Sequence, residues 1–236
     1  MKKILSISVL LSSFLSVQAL AAGEHKGLVE GGMVAARGNT DNDNFNGKVG
    51  MNSRYGKVVN EFAAVGYGSS ASGTRSGEKY AVNDKLKYEF TDVDYGFAEA
   101  DWANDRFAGY SQRLSGIAGA GHYFMKEPNL GLYGELGAGY RQTDYIPIAS
   151  NDEESAVGKV GGGLNWKINE YVEFNQTADS VFGEENVVTT SDTSVKSFLN
   201  KQLYLKMGYN WQNMSEAPAT KKKTDSITTL SVGYNF

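Results

Sequence analysis

Apolar and polar positions alternate along most of this chain. In SITTLSVGYNF, Leu230, Val232, Tyr234 and Phe236 share one face, while Ile227, Thr229, Ser231, Gly233 and Asn235 share the other. QLYLKMGYNW repeats the pattern: Leu203, Leu205, Met207, Tyr209 and Trp211 oppose Gln202, Tyr204, Lys206, Gly208 and Asn210. In LGLYGELGAGYR, Leu132, Leu136, Ala138 and Tyr140 oppose Glu135 and Arg141. In AVGKVGGGLNWK, Val160, Leu164 and Trp166 oppose Lys159, Asn165 and Lys167. A period of two marks strands with one apolar and one polar face.

About twelve such segments follow one another, at 26–37, 43–55, 57–68, 77–90, 94–104, 109–124, 130–144, 155–167, 170–182, 187–199, 202–213 and 224–236. They are too long for ordinary globular strands of about 5–6 residues, and they match the ~9–11 needed to cross a bilayer. Short connections (YGK, TDV, KEPN, INE, NK) alternate with mostly longer, polar ones (RGNTDND, SSASGTRS, DYIPIASNDEES, QNMSEAPATKKKTDS). The pattern predicts an all-β, antiparallel transmembrane β-barrel of twelve strands, with ten as the alternative count. Such a barrel leaves no open edge and no unpaired backbone group in lipid. Aromatics such as Tyr88, Phe90, Tyr140, Trp166, Tyr209, Trp211 and Tyr234 fall near strand ends, as interfacial girdles require. A soluble periplasmic β-sandwich would also alternate, but predicts shorter strands and no asymmetry of loops. Three segments fit less well. Asp84 falls on the apolar face of 77–90, which predicts a bulge. Segment 57–68 puts Glu61 with Val59, Val65 and Tyr67, and 187–199 is mostly Ser and Thr.

Composition sharpens the picture. Lys2 and Lys3 precede an apolar run from Ile4 to Leu15, and Ala19-Leu20-Ala21 has the small-x-small pattern of a signal-peptidase site. Residues 1–21 are therefore expected to be a cleaved export signal, and 22–236 the barrel. The apolar run is too short for a membrane anchor of ~20 residues. The chain has no cysteine, so a disulfide framework, a zinc finger and a thiol nucleophile are all excluded. Without Lys2 and Lys3, 21 of the 23 basic residues remain against 27 acids, a net charge of −6. That balance opposes nucleic acid as a partner. The expected location is the Gram-negative bacterial outer membrane. The expected partners are its lipids and lipopolysaccharide, with the barrel-assembly machinery during biogenesis. Leu230, Val232, Tyr234 and Phe236, ending on an aromatic in strand phase, resemble the signal which that machinery reads.

The candidate chemistry is sparse. ARGNTDNDNFNG carries Asp41 and Asp43 among asparagines, but no register offers the glycine and glutamate of a calcium loop. It reads as a polar hairpin connection. The two histidines, His25 and His122, lack the His-x-Ser spacing of outer-membrane acyl hydrolases. His25 reads as solvated, and His122 as interfacial. Asp152, Glu153 and Glu154 read as a solvated anionic loop. GKVGGG is not a phosphate loop, because Lys159 precedes the glycines and is not followed by Ser or Thr. KKK at 221–223 reads as solvated loop charge. No catalytic residue, metal site or cofactor is expected.

The lumen is the informative surface. With apolar faces outward, Lys48, Arg54, Lys85, Lys87 and Glu89 point inward from the first four strands. Glu99, Asp101, Arg113, Glu135, Arg141 and Lys159 do so from the next four. Glu173, Asp179, Asp192 and Lys206 follow from β-segments nearer the end. Charges of both signs at this density must pair or be hydrated. The lumen is then a narrow polar channel or a salt-bridged plug, and the function a passage for small solutes or ions, an envelope osmoadaptation role, or a non-conducting structural or adhesion barrel.

The stretch VEGGMVAARGNTDNDNFNGKVGMN and the later RFAGYSQRLSGIAGAGHYF resemble the YdiY-like family of salt-induced outer-membrane proteins, a domain of unknown function. GNTD at Gly38 to Asp41 carries the likeness, as do Phe107, Gly109, Tyr110, Arg113, Leu114, Gly119 and Gly121. The resemblance implies an outer-membrane β-barrel expressed in response to salt. It implies no established activity and supplies no functional residues.

Overall fold

The computed structural model describes residues 23–236 except 38–41, 72–73, 106–108, 147–152, 185 and 217–221. The expected export signal, with Ala19 and Ala21, and the GNTD stretch lie outside the described residues. Twelve strands run β1 (Glu24–Arg37), β2 (Asn42–Tyr55), β3 (Val58–Ala71), β4 (Thr74–Glu89), β5 (Asp94–Asp105), β6 (Tyr110–Glu127), β7 (Leu130–Tyr145), β8 (Glu153–Lys167), β9 (Val172–Phe182), β10 (Val187–Phe198), β11 (Leu203–Met214) and β12 (Thr224–Asn235). Each pairs antiparallel with its neighbours in sequence. β1 then pairs with β12, from Leu28 opposite Asn235 to Arg37 opposite Ser226, and closes the barrel.

The packing is inside-out relative to a soluble protein, as a lipid surround requires. On β7, Leu136 is 65% exposed while its neighbour Glu135 is 5% exposed. On β12, Leu230, Val232 and Tyr234 are exposed on the outer wall, while Ser231 is buried inside. Phe236, beyond the last strand residue, is exposed as well. Outward aromatics mark two levels. Tyr88, Phe90, Trp166, Tyr171 and Tyr234 ring the end that holds the termini, and Tyr80, Tyr140, Phe182 and Tyr209 lie toward the other. From Tyr88 to Tyr80 along β4, a rise of ~3.3 Å per residue at a tilt of ~40° gives roughly 20 Å along the barrel axis, near the ~25 Å apolar band of such barrels.

The three weak segments are all strands. Segment 187–199 forms β10, whose outer face carries hydroxyls bound to β9: Gln176 Nε2 donates to Ser191 Oγ at 2.9 Å, and the Ser180 and Thr189 hydroxyls are 2.9 Å apart. Asp84 does not mark a bulge. The β3–β4 register runs unbroken past it and shifts only at Ser69/Ser70. Asp84 stays on the outer wall and accepts a 2.6 Å hydrogen bond from Asn60 Nδ2. Glu61 and Val59 belong to a lumen-facing set, with Glu61 paired to Lys87 at 2.9 Å.

The connections are less asymmetric than the sequence predicts. β3 and β4 continue to Ala71 and Thr74, so SSASGTRS lies mostly within the wall, and β1 and β2 likewise shorten RGNTDND. Only the connections at 146–152 and 215–223 are long. At the opposite end, YGK turns on Gly56, whose φ of +60° suits glycine. These two long loops are expected to face out of the cell. The chain has no cysteine of its own, so single cysteines report topology. A membrane-impermeant thiol reagent on intact cells should label Ser150→Cys and Ala219→Cys and spare Lys57→Cys and Asn169→Cys. The reverse pattern would overturn the orientation.

Candidate functional site: the lumen

Inward side chains of β4, β5, β7 and β8 build a continuous chain of charge. Lys85 Nζ lies 2.7 Å from Glu135 and 2.8 Å from Glu99; Glu99 in turn is 2.7 Å from Lys159 Nζ. β4 and β7 are separated by β5 and β6, so Lys85 reaches Glu135 only through the interior. All four side chains are at most 12% exposed. Asp101 accepts from Asn83 Nδ2 at 2.7 Å and from Ser115 Oγ at 3.3 Å. Beside this network Tyr95, Phe97, Ile117 and Val157 form an apolar cluster with Tyr123 and Val181. Glycines make room for it. A Cβ on Gly119 would sit 2.1 Å from the Leu136 carbonyl and 2.8 Å from the Phe97 ring.

One arrangement occurs twice, half the circumference apart. On β4–β7, Lys87 Nζ stands 5.1 Å over the Tyr95 ring and pairs with Glu61 of β3. The ring covers Gly121 of β6, whose added Cβ would meet Tyr95 Cζ at 2.2 Å. The hydroxyl donates to Glu135 of β7 at 2.9 Å. On β10–β1, Lys196 Nζ stands 5.1 Å over the Tyr204 ring and pairs with Glu173 of β9 at 3.5 Å. That ring covers Gly233 of β12 with the same 2.2 Å approach. Its hydroxyl donates to Glu30 of β1 at 2.8 Å. In each copy tyrosine, glycine and glutamate are direct register partners: Tyr95–Gly121–Glu135 and Tyr204–Gly233–Glu30. Both tyrosines are almost fully buried. These are clasps: a ring laid over a bare glycine backbone, tied at its far end to a carboxylate on the next strand.

The remaining sequence-predicted charges divide. Arg54 holds Glu89 in a two-point contact at 2.6 and 3.2 Å, and Lys126 adds 3.1 Å. Lys206 binds Glu30 at 3.0 Å. Arg141 approaches Glu153 at 3.5 Å. Lys48, Arg113, Asp179 and Asp192 make no ion pair among the described residues. Glu30 and Lys196 were not singled out from the sequence, nor was the tyrosine pair, and Glu61 and Glu153 were named there but not counted among the lumen charges. Strand parity carries the signal for Glu30, since Val29 faces outward. Glu153 is not solvated: it is buried and accepts from Tyr145 Oη at 2.9 Å.

Neither histidine stands in a catalytic arrangement. His25 is not simply solvated: its Nδ1 is 3.0 Å from Ser53 Oγ, and its Nε2 is 3.5 Å from Tyr55 Oη. Ser53 is 1% exposed, so a substrate carbonyl has no approach to its hydroxyl. His25 and Ser53 are register partners on β1 and β2, and the contact is a cross-strand tie. His122 Nδ1 meets Asp94 at 2.7 Å on the exposed barrel rim. No group of side chains suited to a metal ion occurs among the described residues.

Comparison with known proteins agrees with this architecture. The fold is similar to the NanC porin (TM-score 0.56, 7% identity, 89% of this chain and 98% of that one). It is also similar to an outer membrane channel from Pseudomonas putida F1 (0.50, 14%, 92% and 97%) and to the translocator domain of the autotransporter NalP from Neisseria meningitidis (0.50, 10%, 98% and 95%). At these identities the likeness is one of fold. In sequence, the chain is 33% identical over 221 residues to the uncharacterized protein YdiY of Escherichia coli (strain K12), covering 92% of this chain and 86% of that one. The family described as "Protein of unknown function, DUF481" matches residues 29–236, and the chain belongs to this YdiY-like family.

Proposed function

We propose that the protein is a narrow, low-conductance channel for small polar solutes or ions in the Gram-negative outer membrane. The observation that carries this reading is the unequal filling of the lumen. The β4–β8 side is closed by the charge chain and the apolar cluster. On the β9–β10 side, Thr177 and Asp192 face inward as register partners yet are exposed to water. Water-accessible side chains inside a closed wall support an aqueous path, flanked by Asn165 and Asn175 toward the terminal end. Twelve strands lie between the ~8 that side chains fill and the ~16 that leave a wide channel. That intermediate number supports a path along part of the lumen.

Planar-bilayer recording of the purified barrel tests this. Discrete steps well below those of a wide general porin are expected. A silent barrel would favour the structural reading, in which the paired charges lock the lumen and the protein serves envelope adaptation without transport. Export by residues 1–21, recognition of the C-terminal aromatic by the assembly machinery, and contact of the outer loops with lipopolysaccharide belong to the same proposal.

A further inference from the structure

Within the lumen, cations are treated in two ways. Toward the termini every lysine of the clasps and the charge chain (Lys85, Lys87, Lys159, Lys196, Lys206) has a carboxylate within 3.5 Å. Toward the other end this ceases. Arg113 on β6 lies inward between Ala103 and Thr143. Its guanidinium stacks on the Tyr110 ring at 4.3 Å, and it has no carboxylate within ion-pair distance among the described residues. Its Nε is buried without a hydrogen-bond partner. Arg141, on the adjacent strand, is 4% exposed. It has one distant carboxylate, Glu153 at 3.5 Å, and the Asn186 carbonyl at 3.2 Å, and its Nε is likewise unsatisfied. Lys79 on β4 completes the group: its register partner is Asp105, whose own partner on β6 is Tyr110, the ring under Arg113. Among the described residues these three cations thus face two carboxylates, and one of those, Glu153, is shared with the Tyr145 hydroxyl.

We propose that this outer half of the lumen, centred on Arg113 with Lys79 and Arg141, binds small anions bearing carboxylate or phosphate groups. A guanidinium with a buried, unused donor, as both arginines have at Nε, is costly unless an acceptor reaches it. Its planar fork matches the two oxygens of a carboxylate or phosphate better than it matches water. Stacking on Tyr110 fixes the plane of the fork before any ligand arrives. The barrel wall separates the cluster from lipid headgroups, so the ligand comes from solution. As a step in permeation the site rests on the channel reading; as a binding site it does not.

Inorganic phosphate is the probe. Full-length barrel in uncharged detergent is compared in sodium phosphate and in sodium chloride at equal ionic strength, by equilibrium dialysis and by thermal unfolding. Phosphate is expected to bind saturably and to raise the unfolding midpoint. Arg113→Gln should weaken binding by tenfold or more, and Lys79→Gln severalfold, while Lys201→Gln in a terminal-end turn leaves it unchanged. If Arg113→Gln does not fold, Lys79→Gln decides. Absence of saturable binding to the native barrel, or native affinity in folded Arg113→Gln or Lys79→Gln, overturns the site. Bilayer recording separates the two proposals. A barrel that binds phosphate but passes no current keeps the site and loses the channel. One that conducts without phosphate binding keeps the channel and loses the site.

Discussion

Lys85→Ala should destabilise the folded barrel by about 3–5 kcal/mol, the usual cost of removing one member of a buried ionic group. Lys85 is the only lysine that touches two carboxylates in the central chain. Without it Glu99 retains Lys159, whereas Glu135 retains only the Tyr95 hydroxyl. The cost is then mainly that of a carboxylate left in a dry interior with a neutral partner, which predicts a specific rescue. Lys85→Met combined with Glu135→Gln removes the orphaned charge along with its partner and should recover most of the loss. Lys126→Ala is the matched control. Its side chain is 39% exposed at the rim, and its ion pair with Glu89 should be worth at most ~1 kcal/mol. Urea titration of heat-modifiable protein in detergent reads all three. Equal losses for Lys85→Ala and Lys126→Ala would show that the lumen is wet enough to hydrate either charge.

That experiment probes what was hardest to read from the chain. The strands were legible because lipid outside and charge inside impose the same period on every segment. Even β4, with Asp84 on the wrong face, keeps its register, because the single misfit is absorbed by a hydrogen bond to Asn60 rather than by a bulge. β10 was nearly invisible for a related reason. Its outward Thr189 is satisfied by Ser180, and its Ser191 and Thr193 by Gln176, all in the plane of the wall, so they behave as apolar surface without being apolar residues. Loop lengths were overestimated where polar strand ends rise beyond the apolar band, as at Ala71 and Thr74. Inward direction followed from parity, but partnership did not. Lys85 and Glu135 are 50 residues apart on strands three places apart, and which carboxylate a lysine meets depends on barrel radius and stagger, quantities no single strand encodes. The clasps were hidden for the same reason: Tyr204 was readable as inward, and Gly233 as a small residue, but not that one lies on the other.

The two clasps differ in one respect that makes them a test of how the barrel closes. Tyr95, Gly121 and Glu135 lie on β5, β6 and β7, strands joined by successive connections. Tyr204, Gly233 and Glu30 span β11, β12 and β1, so the second clasp straddles the seam between the two ends of the chain. The seam is also where Phe236 acts. Its backbone exchanges hydrogen bonds of 2.7 and 2.9 Å with Gly27, and its ring lies over that glycine. Closing the seam is the least local contact in the molecule and carries the largest loop-closure cost. Gly121→Ala and Gly233→Ala each place a Cβ 2.2 Å from a tyrosine Cζ and must push the ring off its carboxylate, so their equilibrium costs should be similar. Their kinetics should not be. Gly121→Ala should assemble at close to the native rate, because β5–β7 meet early as neighbours. Gly233→Ala should accumulate unclosed, protease-sensitive chain, and deletion of Phe236 should do so more severely by also removing the two backbone bonds to Gly27. Pulse-chase of the heat-modifiable form in cells distinguishes the outcomes. Equal assembly rates for the two glycine variants would mean that closure of β1 on β12 does not limit assembly and that the clasps serve the finished barrel alone.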